Sequence, residues 1–587
     1  MKFKNRNAKC KIKEIIAAVR QFPKFDFLFL IRRGGLIFEF PWVIVVLVGM
    51  VGCISEKVPD HGILSSYQEI LARQGPQQRL GSEGIDLLSP SPETAIPGLK
   101  VVKDPNTGKT VVHLSVEDAI IRALANSPEI RVVSLDPSIA KQEITKAAAE
   151  FDVTAFGRLN YEQEDNPVNS LVQIGQSEVR TLESGLKQKT VTGSELSAGY
   201  ALTRSWDDLI GRTFPKRYEP IMVFQLAQPL LRDGWPEVNL AGVNIAKLNH
   251  EIALLGFRQK SEEISTQVIA AYWLLLQARR DLEVQQDLLD KTFVTLKKLQ
   301  VRKEIDATSV QVKQAEASLK ARQSALLQTQ KSVFDAQDVL IRLLADPWMN
   351  TLSESELVPV TAPHLTAEEL ESSEILQQAM AKNPRIQQAQ VTIAIAAINI
   401  AVAENQQMPR LDLVASTSVK GLDADPWQSL DRLHSNEYVS YAVGLSLECP
   451  LGNRQRNAEL LRRKFERKKA VSALQNLADQ VAVQAKEKIR KVRTNHAQIE
   501  VEKDSVQAAR IHLQALEDSE AIRERLTPEF LLVKLRAQEA LADAERAEIR
   551  AIVDFNIALV ELAEATGTVL ELHNVQMGLS AVASSGN

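Results

Sequence analysis

Three cysteines, Cys10, Cys53 and Cys449, and eight histidines are the side chains with which this chain could ligate a metal, exchange a disulfide or attack a substrate. Their spacing supports none of these. The cysteines lie far apart and match no zinc or redox pattern, which also argues against a structural disulfide. The histidines are scattered, and no HExxH, Walker loop, GxSxG or Rossmann fingerprint occurs. No catalytic constellation is present, so neither an enzyme nor a cofactor or metal is expected. What remains is charge gathered in short stretches. RKEIDATS holds Arg302, Asp306 and Ser309; RERLTPEF holds Arg523, Pro528 and Glu529; and from Arg454 to Lys469 eight Lys or Arg stand with two acids. The net charge of -4 gives no overall bias towards nucleic acid.

The elements that carry these charges are long. Only 5% of the 587 residues are aromatic and 25% are charged, which favours extended helices. From Pro236 to about Lys303 no further proline interrupts the chain, and Val268, Leu275, Leu282, Leu289 and Leu296 repeat every seven residues. Ala478, Ala485, Val492, Ile499, Val506 and Leu513 do the same. Such heptads predict side-by-side coiled-coil packing, with RKEIDATS and RERLTPEF as the hairpin tips.

The design is written twice. ALANSPEI from Ala123 returns as AMAKNPRI from Ala379, and LAQPLLRDG around Pro229 returns as LECPLGNRQ around Pro450. The offsets, 256 before and 221 after, differ by 35 residues, which places an insertion inside the first copy. Between these phrases the period changes to two. LDLVASTSVK and VSYAVGLSLE alternate apolar and polar residues over ten positions, the length of a tilted membrane strand. Phe151, Val153, Ala155, Leu159 and Tyr161 share one face in the first half, and Met222, Phe224 and Leu226 another. GSELSAGYALT within the insertion reads as an extra hairpin; whether it joins the wall or stands above it is open at this stage. Strands of this kind cannot leave edges bare in lipid, so the sheet must close with other chains. The basic cluster follows directly on the strand ending at Glu448, and Arg462, Arg463, Lys468 and Lys469 are expected to meet anionic lipid headgroups at the barrel rim.

The leader is a targeting segment. Lys2, Lys4, Arg6, Lys9, Lys11 and Lys13 open a basic lead before the apolar run FPWVIVVLVGMVGC, which suits a signal peptide. Met50-Val51-Gly52-Cys53 resembles a bacterial lipobox, although that pattern prefers Leu where Met50 stands; lipidation of Cys53 is expected, the alternatives being an uncleaved anchor or ordinary cleavage nearby. Ile54 resembles the residue after the cysteine in lipoproteins sent to the outer membrane. The organisation is then leader 1–53; flexible tether 54–110; first repeat 111–350, with strands near 151–162 and 220–229, the extra hairpin near 180–204 and a helical hairpin over 236–345; linker 351–370; second repeat 371–571, with strands near 411–420 and 439–448 and a helical hairpin over 454–566; and tail 572–587.

Four phrases in this order, LSVEDAIIRALANSPEI, VIAAYWLLLQA around Tyr272, VGLSLECPL, and FNIALVELAEATGTVLE from Phe555, resemble the outer-membrane efflux proteins, or TolC-like channel tunnels. The resemblance covers about Leu114 to Glu571. It implies a mainly α chain with a membrane β-barrel part, internally duplicated into long helical hairpins and strand pairs, with three subunits closing one barrel and one periplasmic tunnel. It also implies a periplasmic adaptor and an inner-membrane transporter as partners, with passive export of small molecules or a secreted protein. A periplasmic adaptor, or a structural coiled-coil envelope protein, is the competing class. Many members of the family carry an Arg with a Gly four residues on at each tip. Here Arg302 is followed by Asp306, and Arg523 by Thr527 and Pro528, so Arg302, Asp306, Ser309, Arg523, Pro528 and Glu529 are assigned to a tip that meets a dedicated adaptor. Relatives narrow the tunnel with aspartates in a pattern like VDVLDA. Aligned here, those aspartates fall on Val533 and Arg536, so Arg536, with Lys534, is expected at a positive constriction.

Overall fold

The structure is a computed structural model describing residues 100–103, 110–170, 173–302, 308–347, 349, 356–366, 371–522 and 527–573. The expected leader, Cys53, Asp306 and Arg523 lie outside the described residues, as do most of the tether and tail.

The repeated phrase is a corner between two helices. Helix α1, Val116–Asn126, starts at Ser115, whose hydroxyl accepts from the Asp118 amide. It stops at Ser127, and Pro128 opens α2, Pro128–Ala148. Proline has no N–H to give and holds its predecessor extended, so it ends one helix and begins the next. Later in the chain α6, Ser372–Lys382, stops at Asn383, whose side chain accepts from the Arg385 amide at 3.0 Å, and Pro384 opens α7, Pro384–Gln406. Ala123 and Ala379 are fully buried and Ile130 and Ile386 nearly so. Of the four matched residues one is a turn-breaker and two are packing positions, while Ala125 and Ala381 are exposed in both copies.

Each corner leads into strands and then a long helical hairpin. After α2, a turn of 3-10 helix at Ala149–Phe151 delays β3 to Thr154–Asp165, later than the alternation from Phe151 suggested. β4, Gln176–Lys189, β5, Glu195–Asp207, and β6, Lys216–Pro229, follow. The long helix does not run unbroken from Pro236. A single turn, α3, Pro236–Asn239, precedes α4, Ala241–Arg302, and α5, Ser309–Leu344, returns. After α7 come β8, Arg410–Lys420, the short helix α8, Pro426–His434, and β9, Tyr438–Glu448. The second hairpin is α9, Arg454–Ile522, 69 residues or roughly 100 Å at 1.5 Å per residue, and α10, Pro528–Thr566, closed by left-handed Gly567 (φ 71°). A last turn, α11, spans Val569–Leu572.

A small sheet ties the halves together. β1, Lys100–Lys103, pairs antiparallel with β2, Thr110–Leu114, which pairs parallel with β7, Glu356–Pro359. This corrects two expectations, since β1 lies in the segment assigned to the tether and β7 in the linker; four-residue strands are too short to show a period. Buried Tyr272 anchors the sheet: its hydroxyl donates to Leu114 O at 3.0 Å and accepts from the Thr361 amide at 2.9 Å.

The second heptad seam is a true core, with Ala485, Val492, Ile499, Val506 and Leu513 buried and Ala478 half-buried. The first drifts. Val268, Leu275 and Leu296 are buried, but between them Leu282 and Leu289 are only half-buried, and Asp281, Gln285, Leu288 and Thr292 take the inner positions. A straight helix rotates about 20° per heptad, which moves a strict seven-residue stripe off its seam.

Candidate functional site

The larger sheet has six strands in the order β3-β4-β5-β6-β8-β9, all neighbours antiparallel. The inserted hairpin, β4–β5, is therefore part of it, between β3 and β6. Register gives the sheet two unlike faces. Met222, Phe224 and Leu226 oppose Val419, Thr417 and Ala415, which oppose Val439, Tyr441 and Val443; Tyr441 is 85% and Val443 73% exposed. The other face carries Gln225 against Ser416, Ser418 against Ser440 and Asp412 against Ser446. Both edge strands, β3 and β9, are exposed along their whole length. An apolar face and bare edges cannot rest in water.

At the opposite end of the long helices the two hairpin tips lie side by side. Leu296, Leu299, Val312, Ala315 and Leu319 of the first hairpin share one core with Phe530, Leu531 and Leu535 of the second. Both return helices are capped by threonine. Thr308 and Gln311 form a reciprocal capping box, and Thr527 accepts from the Phe530 amide at 3.3 Å. Ser309, Pro528 and Glu529 are exposed just beyond these caps and Arg302 is half-buried at the end of α4. The described members of the tip set are thus brought to one end of the molecule.

The two constriction residues part company. Lys534 is 4% exposed and pairs with Glu520, which Lys298 also approaches at 3.9 Å. Its charge is consumed within the chain, which corrects the expectation that it adds to a free positive ring. Arg536 is exposed and makes no ion pair among the described residues. The basic cluster also divides. Arg462 and Arg463 hold Glu459 at 2.6 and 2.9 Å, and Arg463 holds Glu466 at 3.1 Å; the two arginines pull the Glu459 carboxyl below its usual range, Arg462 most strongly. Lys468 and Lys469 are exposed, with no ion pair among the described residues. The two acids of the cluster supply local compensation that the charge count alone had left unassigned.

A buried polar layer behind the tips was not legible as a site. Arg322 of α5 is 7% exposed, donates to Thr292 Oγ1, to Gln538 Oε1 at 3.2 Å and to Leu535 O at 2.8 Å, and so joins α4, α5 and α10. Burial holds its pKa below the usual guanidinium value, against the opposing pull of Glu539. Polar residues three places after the stripe members Leu282 and Leu289, Gln285 and Thr292, were the available signal. Among the described residues no group of His, Cys, Asp or Glu is placed to hold a metal.

A sheet with one apolar face, mounted on two helices of 62 and 69 residues that each fold back into a shorter return helix, is the subunit design of a barrel-and-tunnel architecture. The fold is similar to that of a membrane protein from Pseudomonas aeruginosa (16% identity, TM-score 0.57, over 77% of this chain and 93% of that one). It is also similar to the open state of the MtrE outer membrane channel of Neisseria gonorrhoeae (16%, 0.55, 79% and 91%) and to the CmeC outer membrane channel of Campylobacter jejuni (12%, 0.54, 77% and 86%). At these identities the likeness is one of fold. Residues 375–568, in the second half of the chain, match the family model described as Outer membrane efflux protein. No curated protein matches at the level of sequence.

Proposed function

We propose that three copies of this chain close a β-barrel in the outer membrane, continued into the periplasm by a helical tunnel, and that the assembly is the passive exit duct of a tripartite efflux or secretion system. The observation that carries this reading is the sheet with an apolar face and two bare edges at one end of the molecule, with both hairpin tips gathered at the other. A duct of this kind takes its energy from elsewhere, which implies an inner-membrane transporter and a periplasmic adaptor. Arg302, Ser309, Pro528 and Glu529, with Asp306 and Arg523, form the adaptor-facing end; Arg536 faces the constriction; Lys468 and Lys469 reach lipid headgroups; and Cys53 carries a lipid anchor. Detergent extracts of outer membrane test the reading. Heat-sensitive trimers are expected, and a soluble monomer after removal of residues 1–53 would exclude a channel.

A further inference from the structure

We propose that the β4–β5 hairpin is a membrane-spanning part of the wall, so that three chains close a barrel of eighteen strands; this rests on the trimeric-duct reading above. β4 and β5 are 14 and 13 residues long, more than the 9–11 that a tilted strand needs to cross. Both continue the two-faced pattern of their neighbours. Leu182 opposes Leu202, and Ala198 opposes Phe224, on the apolar side; Thr181 opposes Thr203 on the polar side, their hydroxyls 3.5 Å apart. On the apolar side Leu182 and Leu186 of β4 with Leu196, Ala198, Tyr200 and Leu202 of β5 form a band, interrupted by Ser184 and bounded by the Arg180–Arg204 pair at one end and Gln188 at the other; a hairpin standing in water would have no reason to continue its neighbours' apolar band.

The hairpin is also fastened to both neighbours. Gln188 Nε2 donates to Phe151 O at 3.1 Å and Lys189 pairs with Glu150 at 2.6 Å, at the foot of β3. On the other side Gln228 of β6 donates to Thr192 O at 3.3 Å in the hairpin turn. On the polar face the Phe156 ring lies across Gly185, where an added Cβ would come within 2.7 Å of it. The glycine leaves room for the ring that locks β3 to β4.

Geometry below the sheet favours the wider wall. Four helices, α2, α4, α7 and α9, stand beneath it as successive neighbours, in the order of the strands they join. At an interaxial spacing of about 10 Å they span roughly 40 Å per chain. Strands about 4.8 Å apart and tilted by about 40° each take roughly 6.3 Å of circumference, so six fill roughly 38 Å and four only roughly 25 Å. Six strands match their own helical base without a steeper tilt. The even number leaves β3 and β9 antiparallel at the junction between copies, as closure requires. At equal tilt such a barrel is about 1.5 times as wide as one of twelve strands, with about 2.3 times the cross-section. The membrane passage then ceases to be the narrow point, and selection of solutes falls to the helical end.

The test uses full-length chain in outer membranes and as detergent-solubilised trimers, with the exposed free Cys449 replaced and Cys53 kept. Leu182→Cys and Leu202→Cys are compared with Thr181→Cys and Thr203→Cys. A membrane-impermeant thiol reagent is expected to modify positions 181 and 203 at least tenfold faster than 182 and 202, and a lipid-borne quencher should show the reverse order. Electron cryo-microscopy of the trimers should resolve eighteen strands. Equal labelling at all four positions, or twelve strands with the hairpin outside the wall, overturns the proposal and leaves the trimeric duct standing. Particles that are not trimers, or that do not insert, overturn both.

Discussion

Replacing Arg322 tests how firmly the two hairpins are joined behind their tips. Its three hydrogen bonds do not all leave orphans when it is removed. Thr292 Oγ1 still donates to Leu288 O at 2.7 Å, and Leu535 O keeps its place in α10. Gln538 Nε2 still reaches Thr295 Oγ1 at 3.3 Å. Only Gln538 Oε1 is stranded, at about 1–3 kcal/mol, and truncation to alanine adds a cavity where the aliphatic stem was. Release of a buried cation refunds part of this. The net expectation for Arg322→Ala is a loss of about 3 kcal/mol in the opening free energy of this segment, or roughly a hundredfold faster exchange. Hydrogen exchange of amides between Leu535 and Leu541 reads it directly. Adding Gln538→Leu, which removes the stranded carbonyl, should recover about 1–2 kcal/mol of that loss. A single-variant loss below about 1 kcal/mol, or a double variant simply additive in its damage, would refute the reasoning.

Lys534→Met leaves Glu520, among the described residues, with the more distant Lys298 alone, and should destabilise the tip by less than the roughly 3–5 kcal/mol of a fully buried broken pair, measured by the same exchange; no change would mean the pair contributes nothing. Glu262 is buried, and burial raises its pKa above the usual 4.5 despite Arg258. A raised carboxyl contributes stability below its unfolded pKa that is lost as pH rises through the folded one. Melting curves of Glu262→Gln should therefore lose part of the fall in stability that the parent shows from about pH 4.5 upward, and an unchanged pH slope would count against this. Neutralising Lys468 and Lys469 should weaken trimer stability in anionic lipid more than neutralising Arg462 and Arg463, which already hold Glu459; equal effects would contradict the division. In planar bilayers Arg536→Asp should shift selectivity towards cations, and a parent already cation-selective and unmoved by the change would remove Arg536 from the constriction.

Much of this fold can be read from periodicity. The alternation at LDLVASTSVK and VSYAVGLSLE becomes β8 and β9, and the six-member seam from Ala478 becomes the core of α9, because gathering apolar residues on one face demands period two in a strand and a seven-residue repeat in a packed helix. The first seam misleads because a straight helix drifts from a strict heptad, so Leu282 and Leu289 lose their places to Asp281 and Thr292. The small sheet is invisible to periodicity, since β1, β2 and β7 are four or five residues long and owe their existence to Tyr272 and to each other. At the tip, residue types announced charge but not partners. Lys534 and Arg536 sit two apart on one helix, and only packing against Glu520 decides that one is buried and the other exposed.

The central claim is that the bare edges, β3 and β9, close on other copies of the same chain. Cysteines placed singly along Phe156–Tyr161 of β3, each combined with Val443→Cys of β9 in a background with Cys449 replaced and Cys53 kept, test it in intact outer membranes under mild oxidation. At one register the account predicts disulfide-linked ladders that stop at three chains. Absence of a ladder at every register, or ladders that continue past three, would contradict it.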